Sequence, residues 1–258
     1  AQYLTFNQML INIFSFNIIW VFIECLPILF AVKYGIDLWI WLRAVLGRKG
    51  VAVLSTVISL ANFGWYAVTA NLFASSMIHL GNNFGLGLDK GVWAPILGTL
   101  CVLLGTLIAL GGPEVIKGTN RFLVVALLFV GLIIVGICFV AVPIRDIMNV
   151  QPAIQENLTP IERFMMSGEG NVAVAFSWST QAFVLPRLAK SERSGYWATA
   201  LSYGVVAPFF AATGGVMALA MFVKTGVYES DPTTMLSTLS TPAFALLSLL
   251  LVAFANIG

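Results

Sequence analysis

Asn62, Trp65, Thr69 and Ser76 recur along an apolar run. At 100° per residue they share an arc of about 60° on one helix face. The chemistry open to such a face is recognition, not bond-making. An indole offers a flat wall, while amide and hydroxyl groups donate and accept hydrogen bonds. Two readings stand side by side. The stripe glues helices together, at about 0.6–2 kcal/mol per interhelical hydrogen bond. Or Trp65 is a wall for a flat ligand, with Thr69 one turn on as its hydrogen-bonding partner. A second run, 171–189, carries Ser177, Trp178, Ser179, Thr180 and Gln181 at its centre. Five such residues in a row suit a helix interrupted beside a cavity, where freed backbone groups meet solute.

Two ionisable residues call for weighing. Glu24, in "FIECLP", lies inside the first apolar run, about two helical turns before Lys33. It is either a proton carrier, the default reading of an intramembrane carboxylate, or a carboxylate close to the cytoplasmic end and paired with a basic group or water. His79, the one histidine, closes the second run and reads as interfacial, with pH sensing as the alternative. Nothing supports an enzyme. HExxH, GxSxG and GxxxxGK[ST] are absent. Cys25, Cys101 and Cys138 have no metal-ligand spacing and read as small core residues. No metal site or organic cofactor is expected.

The elements that must position these residues are spans. The 258-residue chain is 59% hydrophobic and 9% charged, against about 25% charge in a soluble domain. Its mean hydropathy is +0.95. These values fit an all-α polytopic membrane protein whose surroundings are a lipid bilayer. A net charge of +2 is too small to suggest nucleic acid as a partner. The spans predicted within one transmembrane domain (1–258) are 7–32, 51–79, 93–112, 122–143, 171–189 and 197–223, with an incomplete seventh at 242–258. "GLGLDKG", "GGPE" and "ESDP" punctuate them as turns and helix stops. Residues 159–166 read either as a short external amphipathic helix or as a solvated loop. Both ends read as cut, so the chain is taken as an internal fragment.

Basic residues alternate between loops. Loops one, three and five hold Lys33, Arg43, Arg48, Lys49, Lys117, Arg121, Arg187, Lys190 and Arg193. The others hold Lys90, Arg145, Arg163 and Lys224. The odd loops are therefore expected to be cytoplasmic. The first span then runs from outside to inside, and a cytoplasmic natural N-terminus would need one further span upstream.

Residues 32–74, "VKYGIDLWIWLRAVLGRKGVAVLSTVISLANFGWYAVTANLFA", resemble the nucleobase–cation symporters of the cytosine permease, allantoin and hydantoin transporter group. Tyr34-Gly35-Ile36, Arg43, Gly47 and Gly64-Trp65-Tyr66 follow that family's order and spacing. Trp178 and "PRLAKS" at 186–191 look like the counterparts of its mid-helix Trp and its "DFTRYAKS" motif. The resemblance runs from about Phe6 to Gly258 and is most specific in 32–74. It implies a LeuT-type inverted-repeat fold, with this chain covering about helices 2–8. It also implies a planar heterocyclic substrate sandwiched between Trp65 and Trp178, with Asn62, Thr69, Ser177 and Gln181 facing its polar edges. Thr69 stands where the family carries Gln, and Val184 where it carries an acid. The coupling ion would be Na+ or H+, with the Ala255 carbonyl as a cation ligand. The expected function is a cation symporter in the plasma (inner) membrane. The alternative is an amino-acid or other small-solute transporter of the same fold.

Overall fold

The computed structural model describes residues 2–152, 158–182 and 186–240, and every regular element among them is helical. In order these are α1 (Phe6–Tyr34), α2 (Leu38–Asn83), α3 (Lys90–Leu110), α4 (Pro113–Ala141), α5 (Ile144–Met148) and α6 (Pro160–Ala182). A 3₁₀ turn (Pro186–Leu188) leads to α7 (Glu192–Leu201), a π-helical segment (Ser202–Val206), α8 (Ala207–Thr225) and α9 (Pro232–Leu239). Among the described residues, five stretches are long and apolar enough to cross a membrane: Phe6–Tyr34, Leu38–Asn83, Lys90–Leu110, Glu114–Ala141 and Glu192–Thr225. Helices satisfy their own backbone groups, which lipid cannot do. The run 242–258 lies outside the described residues.

Local chemistry sets the element ends. Thr5 and Gln8 form a capping box at the start of α1, and Gly35 ends it in the left-handed region at φ 63°. Asp37 then opens α2 by accepting from the Ile40 amide at 2.9 Å. Inside α2, Gly47 adopts φ 66° and ψ 176°, which separates an arm of residues 38–46 from the long helix beyond. Pro208 has no N–H to give to the carbonyl of Gly204, and the wide π turn just before it absorbs that mismatch.

α6 departs from expectation. Its first half is not a separate helix near 159–166. Thr159 and Glu162 cap it reciprocally, through Thr159 N to Glu162 Oε2 at 2.6 Å and Glu162 N to Thr159 Oγ1 at 3.3 Å. From Pro160 the helix runs unbroken to Ala182. It is not among the five stretches apolar enough to span.

The chain divides into two compact units, Ala1–Ile58 with Met148–Gly215, and Ser59–Ile147 with Val216–Gly258. In the first, α1 is the shared spine, touched by α6, the 3₁₀ turn, α7 and the π segment. Val21, Cys25, Ile28 and Ala31 form its core against Tyr196, Ala200 and Tyr203. The arm 38–46 folds back on it, with Trp41 6.0 Å from Phe30. Glycines on the partners admit the side chains of α1. Gly168 receives the Phe16 ring, and a Cβ on Gly195 would stand 2.6 Å from Val32 Cγ2 and 3.4 Å from the Pro186 carbonyl. In the second unit, Ala70 and Phe73 of α2 pack with Cys101 of α3, joined by Met77 and Leu97.

Gly195→Leu forces atoms into occupied space, at about 1–3 kcal/mol, which outweighs the roughly 1 kcal/mol that replacing a helical glycine returns. Thermal unfolding in detergent will show a lower Tm for Gly195→Leu. It will show no loss for Gly214→Ala, where nothing lies within 4 Å of the added Cβ.

Candidate functional site

The polar stripe of α2 lies on the more covered side of that helix. Asn62 and Thr69 are half-buried, and Ser76 is fully buried. Leu60, Phe63 and Tyr66, on the other faces, are more than 60% exposed, while Trp65, at the edge of the stripe, is 37% exposed. The Thr69 hydroxyl donates to the Tyr66 carbonyl at 3.0 Å. Its lone pairs stay available to accept. Ser76 Oγ is enclosed, with no hydrogen-bond partner among the described residues.

On α6 the expected interruption at Ser177–Gln181 is not found, because the helix continues through Ala182. The local reason is visible at Ser177, whose hydroxyl returns to the Val174 carbonyl at 2.6 Å and so needs no opened backbone. No glycine or proline lies in the segment to break it. Trp178 and Gln181 belong to the helical backbone of α6, and their side chains lie outside the described residues. The same holds for the Glu24 side chain on α1. Ala255 lies outside the described residues altogether. Trp65 belongs to the second compact unit, and Ser177 and Trp178 to the first.

Sequence reasoning missed two polar ties within the first unit. Asn12, fully buried on α1, donates through Nδ2 to the Phe164 carbonyl at 2.7 Å and accepts from Asn171 Nδ2 at 2.9 Å. Arg187 Nη1 donates to Asp37 Oδ2 at 3.0 Å. A glycine helix stop followed two residues later by Asp is a cap signal that points to Asp37; nothing local points to its distant partner. An open groove of about 570 Å³ also lies on this unit, lined by Phe16, Leu158, Met165, Met166 and Val172 together with Glu162 and Glu169. It takes in none of the sequence-predicted site residues. Hydrogen bonds from the Thr159 backbone and hydroxyl hold the Glu162 carboxyl below its usual range.

In the second unit, His79 is half-buried in the last turns of α2. Nearby, Asp231 caps α9 through the Thr233 amide at 2.9 Å and the Thr233 hydroxyl at 2.7 Å. Lys224 Nζ donates to the Thr238 carbonyl at 2.7 Å at the other end of that helix. Burial pushes the Asp231 carboxyl up. The bonds from Thr233 and Thr234 and the positive charge of His79 outweigh it, and the net shift is downward. Among the described residues no group of three His, Cys, Asp or Glu could hold a metal ion.

Compared with models of known protein families, with curated proteins and with solved structures, the chain matches none of them.

A carboxyl whose folded pKa is lowered contributes stability above its unfolded value, about 3.9 for Asp, and loses it as pH falls through the folded value. Asp231→Ala removes the cap, at about 0.5–2 kcal/mol. Hydrogen exchange at the first amides of α9 will be faster in this variant at neutral pH. The difference from the parent will shrink once pH falls well below 4.

Proposed function

We propose that this chain forms the core of a secondary transporter, a cation symporter for nucleobases or related planar heterocycles such as cytosine, allantoin or hydantoins. The observation that carries the reading is the stripe of Asn62, Thr69 and Ser76 on the covered side of α2, with the Trp65 indole at its edge. In a bilayer such groups belong against protein or a watered cavity. The resemblance of residues 32–74 and of Trp178 with "PRLAKS" to nucleobase–cation symporters supports the same reading.

In this mechanism the heterocycle stacks between Trp65 and Trp178, at about 0.5–1.5 kcal/mol per aromatic contact beyond area burial. Its polar edges bond to Asn62, Thr69, Ser177 and Gln181. Occupancy lets one bundle rock against the other, opening the site to each side of the plasma (inner) membrane in turn. The coupling ion is Na+ or H+. The Ala255 carbonyl is the candidate Na+ ligand, and Glu24 the candidate proton carrier.

The test is uptake of labelled cytosine, uracil, allantoin, hydantoin and a set of amino acids by the full-length protein. Saturable uptake of at least one heterocycle is expected. Trp65→Ala and Trp178→Ala will each raise the half-saturation concentration about tenfold, the equivalent of 1.4 kcal/mol. Uptake of amino acids alone, or heterocycle uptake indifferent to both substitutions, contradicts the reading.

A further inference from the structure

The two segments that carry the sequence resemblance lie some 150 residues apart in the chain and meet in the first unit. Asp37 directly follows Tyr34-Gly35-Ile36, and Arg187 is the second residue of "PRLAKS". Their 3.0 Å contact is the one ion pair among the described residues that joins separate elements. Asp37 is used twice. Oδ1 caps α2 through the Ile40 amide at 2.9 Å, and Oδ2 receives Arg187. The side chains are only 22% and 34% exposed respectively, so the pair is screened less than a surface bridge.

The pair sits where α6 hands over to α7. The 3₁₀ turn bearing Arg187 packs on α1, and Gly195 of α7 closes on both Val32 of α1 and the Pro186 carbonyl. Lys33, Arg43, Arg48, Lys49, Lys190 and Arg193, all exposed, flank the pair in the sequence, mostly on α1, α2 and α7, against one further acid, Glu192. By the positive-inside rule this end is cytoplasmic. In so basic a region, Asp37 is the group that lets Arg187 lie against α1 without repulsion.

We propose that Asp37 and Arg187 are positioning residues: their pair clamps the 3₁₀ turn that follows α6 to the α1–α2 turn and thereby limits cytoplasmic access to the Ser177–Gln181 segment. This rests on the transporter reading, in which that segment faces the substrate path. Releasing the clamp frees that 3₁₀ turn to move away from α1 while leaving the cores of α1 and α7 packed.

The test is side-specific labelling of the Ser177→Cys variant by a membrane-impermeant methanethiosulfonate reagent, in the full-length protein with Cys25, Cys101 and Cys138 replaced. Asp37→Ser keeps a good N-cap residue but cannot span to Arg187. Arg187→Gln removes the charge. Each will raise the labelling rate from the cytoplasmic side at least threefold in inverted vesicles. The double variant will be no faster than the faster single one, because both remove the same contact. Lys190→Gln, on the same loop, will leave the rate unchanged. If Arg187→Gln fails to accumulate, Asp37→Ser alone decides. Equal rates in parent and clamp variants, or additive rates in the double variant, overturn the clamp and leave the transporter reading standing. No labelling of the introduced thiol from either face in any variant overturns both.

Discussion

A bilayer gives Asn12 nothing to bond to, and α6 supplies what lipid withholds. The Asn12 amide is fully buried and takes both of its partners, the Phe164 carbonyl and the Asn171 amide, from that one helix. An unpaired amide there would cost several kcal/mol, so the register of α1 on α6 follows from satisfying it. The glycines extend this contact along the spine. Phe16 lies on Gly168, Val32 on Gly195 and Val21 on Gly204. With lipid as apolar as the side chains, such close approach replaces the hydrophobic effect as the adhesive. The backbone of α6, and with it Ser177, is set on α1 by this packing.

Hydroxyl groups in the spans carry less functional information than their polarity suggests. Ser15, Thr56, Thr69, Thr99, Thr106, Ser177 and Thr213 each donate to a carbonyl three or four residues earlier in their own helix. The donor of such a hydroxyl is met inside its own helix, and only its lone pairs remain to be satisfied. An amide does the same at Asn17, which donates to the Ile13 carbonyl at 2.6 Å, so the transport reading rests on the placement of the α2 stripe and on the resemblance rather than on polarity alone.

Long apolar helices were legible in the sequence because apolar length is a strong signal: α1 contains the run 7–32, and α3 and α4 overlap most of 93–112 and 122–143. Less legible were features that depend on a partner far along the chain. The arm 38–46 looks like a loop until Trp41 finds Phe30 and Gly47 turns the backbone. The polar run 177–181 looked like a helix break, since its composition does not reveal that Ser177 bonds backward. "TPIE" at 159–162 was a readable capping box, and reading it would have started α6 at Pro160. Of the candidate site, the α2 stripe was visible as a 100° periodicity, whereas Asp37 and Arg187 become a pair only through the packing of α1.

The central claim is that two indoles face each other across one ligand. It is tested most directly by Trp65→Cys with Trp178→Cys in the full-length protein, with the three native cysteines replaced. Faces holding a planar ring between them stand about 7 Å apart, twice a van der Waals contact. Short bifunctional thiol reagents of that reach are expected to join the two introduced thiols within one chain, and a transported heterocycle to slow the reaction. Absence of cross-linking with every reagent up to about 15 Å, well beyond aromatic contact, would contradict the account.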